Sequence, residues 1–225
     1  MKEEEKEDKW RKWLAMQNKD EIALWYKATD FEEKYFGDMN LDDFEEELSG
    51  KETWIGGKWV KVKRDFYTEF GITLGRWRFI IVKKPKGYAG KCFPKSCTIK
   101  IAEEYKDNDI VLLHEMIHAF ECMLFKHEFF FQYVLIKLYK KLSEQVPNLD
   151  ELLMFDQHVD SIVHSPLFCL KSIDLDLRLN QEIGTTYAYE REELFRPDNG
   201  EEGNFDTLDL DKMKVLMAKK YFGEK

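Results

Sequence analysis

The 225-residue chain reads as an α+β protein. Three observations carry that reading. Apolar residues at helical spacing fill both ends of the chain. β-forming residues punctuated by glycine fill the segment 52–101, and an apolar helix follows with His114-Glu115-Met116-Ile117-His118 in its middle.

In order along the chain, residues 10–36 have a helical pattern, with Trp13, Leu14, Ile22, Leu24, Trp25, Phe31 and Phe36 set among charges. Leu41–Leu48 suggests a second short helix closed by Ser49-Gly50. Trp54–Val62 predicts a hairpin around Gly56-Gly57, and Arg76–Lys83 is rich enough in β-formers for a strand. Pro85–Pro94, with Gly87 and Gly90, reads as a turn-rich connection, and Thr98–Ile101 alternates as a short strand. The motif helix begins near Asp107-Asn108-Asp109, where the side chains suit an N-cap. Helical patterns follow over 129–142, 149–163 and 208–222, with a break at Pro147 and a charged loop over 190–204. The expected organisation is an acidic helical N-terminal extension (1–50), a core around the motif (51–145) and a helical C-terminal region completing the same domain (146–225).

The apolar fraction of 44% and aromatic fraction of 15% fit a globular chain with a proper core. The longest apolar candidate, Phe129–Leu138, is broken by Gln132 and Lys137, so no membrane span is expected. The acidic start Met1-Lys2-Glu3-Glu4-Glu5 is unlike a secretory signal, and four cysteines without dense spacing suit a reducing cytoplasm. The net charge of −9 is unevenly spread. Residues 1–50 hold 16 acids and 8 bases, residues 51–100 hold 13 bases and 3 acids, and the chain from 142 onward holds 18 acids and 9 bases. The basic block could contact DNA, with Trp54, Trp59 and Trp77 stacking on exposed bases, or it could pair with the acidic parts of the same chain. The overall negative charge argues against strong nonspecific nucleic-acid binding.

The H-E-x-x-H motif carries the chemistry. Residues four apart on a helix share a face, so His114 and His118 can reach one ion, and Glu115 beside them can act on a metal-bound water as general base. That is the zincin arrangement, with Zn2+ as its metal. A catalytic zinc needs a third protein ligand. His127 is the first choice, although nine residues of continuous helix after His118 would turn it to the opposite face, so the chain must bend before it. Glu144, Glu151, His158 and His164 are the alternatives, and the two histidines otherwise read as ordinary core or surface residues.

Ala89-Gly90-Lys91-Cys92, Cys97-Thr98-Ile99-Lys100-Ile101, Leu112-Leu113-His114-Glu115-Met116-Ile117-His118-Ala119 and His127-Glu128-Phe129-Phe130-Phe131 together resemble the SprT-like zinc metallopeptidases, the family of Spartan. The resemblance covers about residues 75–142. Glu128 stands where that family has glycine, and the C-terminal zinc ribbon of many members is missing, since Cys169 is the sole cysteine after residue 142. The resemblance implies a zincin-like domain, a small sheet packed against the active-site helix, with zinc on His114, His118 and His127. It also implies that Thr98–Ile101 is the edge strand that aligns an extended peptide. The expected activity is peptide-bond hydrolysis by a zinc-activated water with Glu115 as base, on unfolded or DNA-associated proteins. A zincin of another family with a different third ligand, and an inactive zinc-binding interaction protein on the same scaffold, are the alternatives.

Overall fold

The computed structural model describes residues 16–37, 52–55, 58–61, 77–84, 87–125, 128–149 and 164–188. The first helix, α1 (Lys19–Tyr35), begins in a capping box: Glu21 N–H donates to Asn18 Oδ1 at 2.9 Å, and Asn18 N–H donates back to the Glu21 carboxylate. Strands β1 (Glu52–Ile55) and β2 (Lys58–Lys61) form an antiparallel hairpin with Trp54 opposite Trp59, as the Gly56-Gly57 pair predicts.

The sheet beside the motif has three strands: β3 (Arg78–Val82), β4 (Gly90–Phe93) and β5 (Thr98–Ala102), in the order β3-β5-β4. β5 runs parallel to β3 and antiparallel to β4. The edge-strand expectation for Thr98–Ile101 is therefore corrected: β5 is the central strand. The edges are β3 and β4, and β4 lies inside the stretch 85–94 that composition reads as a turn-rich connection. Its four residues include a glycine and a lysine, and the ladder with β5, rather than a local pattern, makes them a strand. The hairpin between them closes through a 3₁₀ turn (Pro94–Ser96) and Cys97, whose φ of 46° is left-handed. On the far side, β3 is partly covered by α1, because Ile81 N–H donates to the Glu21 carboxylate at 3.1 Å.

The motif helix α2 (Asp109–Phe125) starts where Asn108 Oδ1 accepts the Val111 N–H at 3.1 Å, a side-chain cap of the predicted kind. It packs on β4 and β5 on one side and on three further helices on the other. These are α3 (Glu128–Ser143), α4 (Pro166–Arg178) and the single turn α5 (Thr185–Ala188). Being enclosed by neighbours, α2 is apolar nearly all round. Phe79, Ile99 and Ile101 of the sheet and Leu112, Leu113, Met116 and Ile117 of α2 are buried in one cluster, which Leu24, Ala28 and Phe36 also join. The N-terminal helix thus shares the core of the motif helix. Its C-terminal end is held by α4: the Lys171 ammonium and the Arg178 guanidinium both donate to the Tyr35 carbonyl, at 2.6 and 2.9 Å.

The expected helices at 41–48 and 208–222, the loop at 190–204 and all but Leu149 of the expected helix at 149–163 lie outside the described residues. No helix among the described residues is long and apolar enough to cross a membrane.

Candidate metal centre

His114 and His118 project from one face of α2 towards α4, as their spacing requires. His164 meets them there, immediately before α4. The three ring centroids form a nearly equilateral triangle, 5.0 Å for His114–His118 and 5.1 Å for each of the other two pairs. One ring nitrogen from each lies within 4.8 Å of the others. A tetrahedral zinc with nitrogen ligands spaces them roughly 3.3 Å apart, so small side-chain rotations close the set. This cluster could hold a metal ion.

The third position has a local cause. Ser165 is the N-cap of α4, accepting the Phe168 N–H on its hydroxyl at 3.2 Å, with Pro166 in the first turn. The same hydroxyl donates to Glu121 Oε1, one turn beyond His118 on α2. A single serine therefore starts α4 and ties that start to the motif helix, which brings His164 against the two motif histidines. Phe168 stacks on His164 at 4.0 Å and contacts His114 and His118 at 4.8 and 4.5 Å, while Tyr187 meets His164 edge-on at 4.6 Å. These rings hold the imidazoles in place and keep the surroundings apolar.

A hydrogen bond fixes the tautomer of His114. Its Nδ1 is 2.9 Å from the Thr186 carbonyl oxygen, which can only accept. The proton therefore sits on Nδ1, and Nε2 keeps the lone pair that a metal requires. Nδ1 of His118 lies 3.9 Å from Glu121 Oε2. Glu121 is fully buried and Glu115 is 2% exposed, two carboxylates whose charge suits a divalent cation among neutral imidazoles. The donor set, the tautomer and the buried acids all fit a metal.

Glu115, next to His114 on the helix, packs against the sheet. A Cβ on Gly90 would come within 2.6 Å of Glu115 Cγ and 2.8 Å of its Oε1, so the edge strand passes directly over this carboxylate. The cluster is thus flanked by α4 on one side and, across Glu115, by the edge β4.

Of the residues singled out in the sequence, the structure brings together His114, His118 and His164, and it seats Glu115 of the same helix against β4. His127, the first choice for third ligand, lies outside the described residues, as do Glu151 and His158. α2 runs unbroken through Ala119–Phe125, about 10 Å of helix beyond His118. His164 completes the cluster among the described residues. The signal that could have favoured it is Ser165-Pro166, an N-cap followed by proline at the first helical position, which announces α4. Glu121, Asp176 and Thr186 carry no motif at all. Trp77 is buried in the core, so it offers no stacking surface.

Compared with protein-family models, curated proteins and solved structures, the chain matches none.

Proposed function

We propose that the chain is a zinc-dependent metallopeptidase of the SprT-like kind, with zinc held by His114, His118 and His164 and with Glu115 as general base. The observation that supports it is the convergence of the three imidazoles beside an H-E-x-x-H glutamate that is itself seated under a sheet edge. Held by these three histidines, zinc would supply a Lewis acid to polarise a substrate carbonyl and to lower the pKa of a water towards 7. Glu115 accepts the proton of the attacking water and delivers it to the departing amine. His114 is held in the ligating tautomer by Thr186, and Phe168 excludes water from the back of the cluster. β4 can pair its backbone with an extended segment, which favours unfolded polypeptide over a tight sequence motif.

Partner and compartment follow from the same reading. Arg78, Lys91 and Lys100 share the sheet face turned away from Glu115, with the Lys91 and Lys100 ammonium groups 5.6 and 4.9 Å from the Phe93 ring. That basic, aromatic face supports contact of the segment 51–100 with DNA or another polyanion near the substrate. All four cysteines are free thiols, in keeping with a cytoplasmic protein.

The test is cleavage of a permanently unfolded polypeptide by zinc-loaded protein and by its Glu115→Gln variant. Loss of the base should lower turnover by about 10²- to 10⁴-fold while zinc content stays the same. Equal cleavage by the two proteins, or none by the zinc-loaded wild type, sinks the peptidase reading and leaves an interaction protein with a bound metal.

A further inference from the structure

We propose that Asp176 is a positioning residue for the metal centre, acting through Thr186 to fix which ring nitrogen of His114 faces the ion. The proposal rests on the three-histidine site described above, but it concerns a residue 12 positions beyond His164 that touches none of the ligands.

Asp176 lies in the last turn of α4 and is fully buried. Its Oδ2 accepts the Gly184 N–H at 2.8 Å, and its Oδ1 accepts both the Thr186 N–H, at 2.9 Å, and the Thr186 hydroxyl. Three donors on one carboxylate fold the segment 184–186 back over the end of α4. Gly184 permits the reversal at a φ of 105°, a conformation that side chains rarely adopt. Thr186 then presents its N–H and hydroxyl to Asp176 and its carbonyl to His114. The chain of contacts is carboxylate, backbone, imidazole, in a line from α4 to α2.

A purely structural account of Asp176 is unattractive. An acid in the last turn opposes the helix dipole, and burying a carboxylate is costly even when it is hydrogen-bonded. Burial pushes its pKa up to about 6, against the opposing effect of the Thr186 and Gly184 hydrogen bonds, so it remains ionised at neutral pH. What this residue supplies that an apolar one could not is a rigid Thr186 carbonyl. With that carbonyl in place, the alternative tautomer of His114 would set a nitrogen lone pair against an oxygen lone pair. With the clamp removed, the ring is free to populate both tautomers, and one of them cannot ligate through Nε2.

The test combines ring-nitrogen NMR of ¹⁵N-histidine-labelled, metal-free protein with zinc affinity measured by chelator competition. In the wild type, His114 should carry its proton on Nδ1. Asp176→Asn should give a tautomer mixture at His114 and weaken zinc by about 10- to 100-fold. Thr186→Val, which removes one of the three bonds, should move both readouts in the same direction by less, and Thr186→Ser should restore them. A folded Asp176→Asn protein with the wild-type tautomer and zinc affinity overturns the proposal. If that variant does not fold, unchanged readouts in Thr186→Val do the same. Absence of zinc binding in the wild type would count against the metal site alone, because the tautomer is read without metal.

Discussion

At Gly90 the sheet and the proposed general base meet with no side chain between them. The contact distances leave no room for a methyl group there, and the atoms in the way include Cγ of a buried glutamate rather than a flexible tip. Gly90→Ala should therefore push Glu115 out of register with the three histidines. Cleavage should fall by about 10- to 100-fold, the usual consequence of misplacing a catalytic group by an ångström, while zinc stoichiometry is unchanged. Full activity in a folded Gly90→Ala protein would show that Glu115 does not work from the position seen here. The residues of this site divide by how local their role is. His114, Glu115 and His118 are legible in the sequence because helical geometry alone puts them together. Glu121, Asp176 and Thr186 are not, because each acquires its role from a partner between 10 and 72 positions away.

Among the elements, α4 does the most to build the site and was the least visible. Its N-cap delivers His164, its first turn delivers Phe168 and its last turn delivers Asp176. Residues 166–176 are all buried, Lys171, Ser172, Asp174 and Asp176 among them, so the polar positions of this stretch do not mark a solvent face. β4 escaped for the opposite reason: too short and too polar, it exists through pairing with β5. The motif helix, α1 and the Gly56-Gly57 hairpin were legible because each has caps or turn residues of its own. The joint between α4 and α5 predicts a pH effect. The Asp176 carboxyl titrates near 3.8 when unfolded and at about 6 when folded, so the folded state holds its proton longer. Its favourable contribution is complete below pH 3.8 and is lost as pH rises through 6. In metal-free protein, the unfolding free energy of the wild type relative to Asp176→Asn should fall on the order of 2–3 kcal/mol between pH 4 and pH 7. A pH-independent difference from denaturant melts would mean that Asp176 titrates alike in both states.

Across the whole molecule, one buried cluster runs from α1 through the sheet and α2 to α4 and α5, so the three histidines are fixed by the global fold and not by a flexible loop. Lys27 pairs with Asp109 and Lys106 with Asp20, which ties α1 to the start of the motif helix. The α+β class follows from the order of helical and strand-like segments, which composition and spacing reveal. The third ligand does not follow, because His164 is 46 positions from His118 and the chain returns to α2 only through the packing of α4. The three-histidine site therefore turns on whether His164 binds metal. The most direct measurement is zinc content and affinity of chelator-washed, reconstituted wild type, His164→Ala and His127→Ala. One zinc per chain in the wild type and in His127→Ala, lost or weakened by at least about 100-fold in His164→Ala, is the predicted result. Zinc retained at full affinity in His164→Ala, or lost in His127→Ala instead, would contradict the three-histidine site described here.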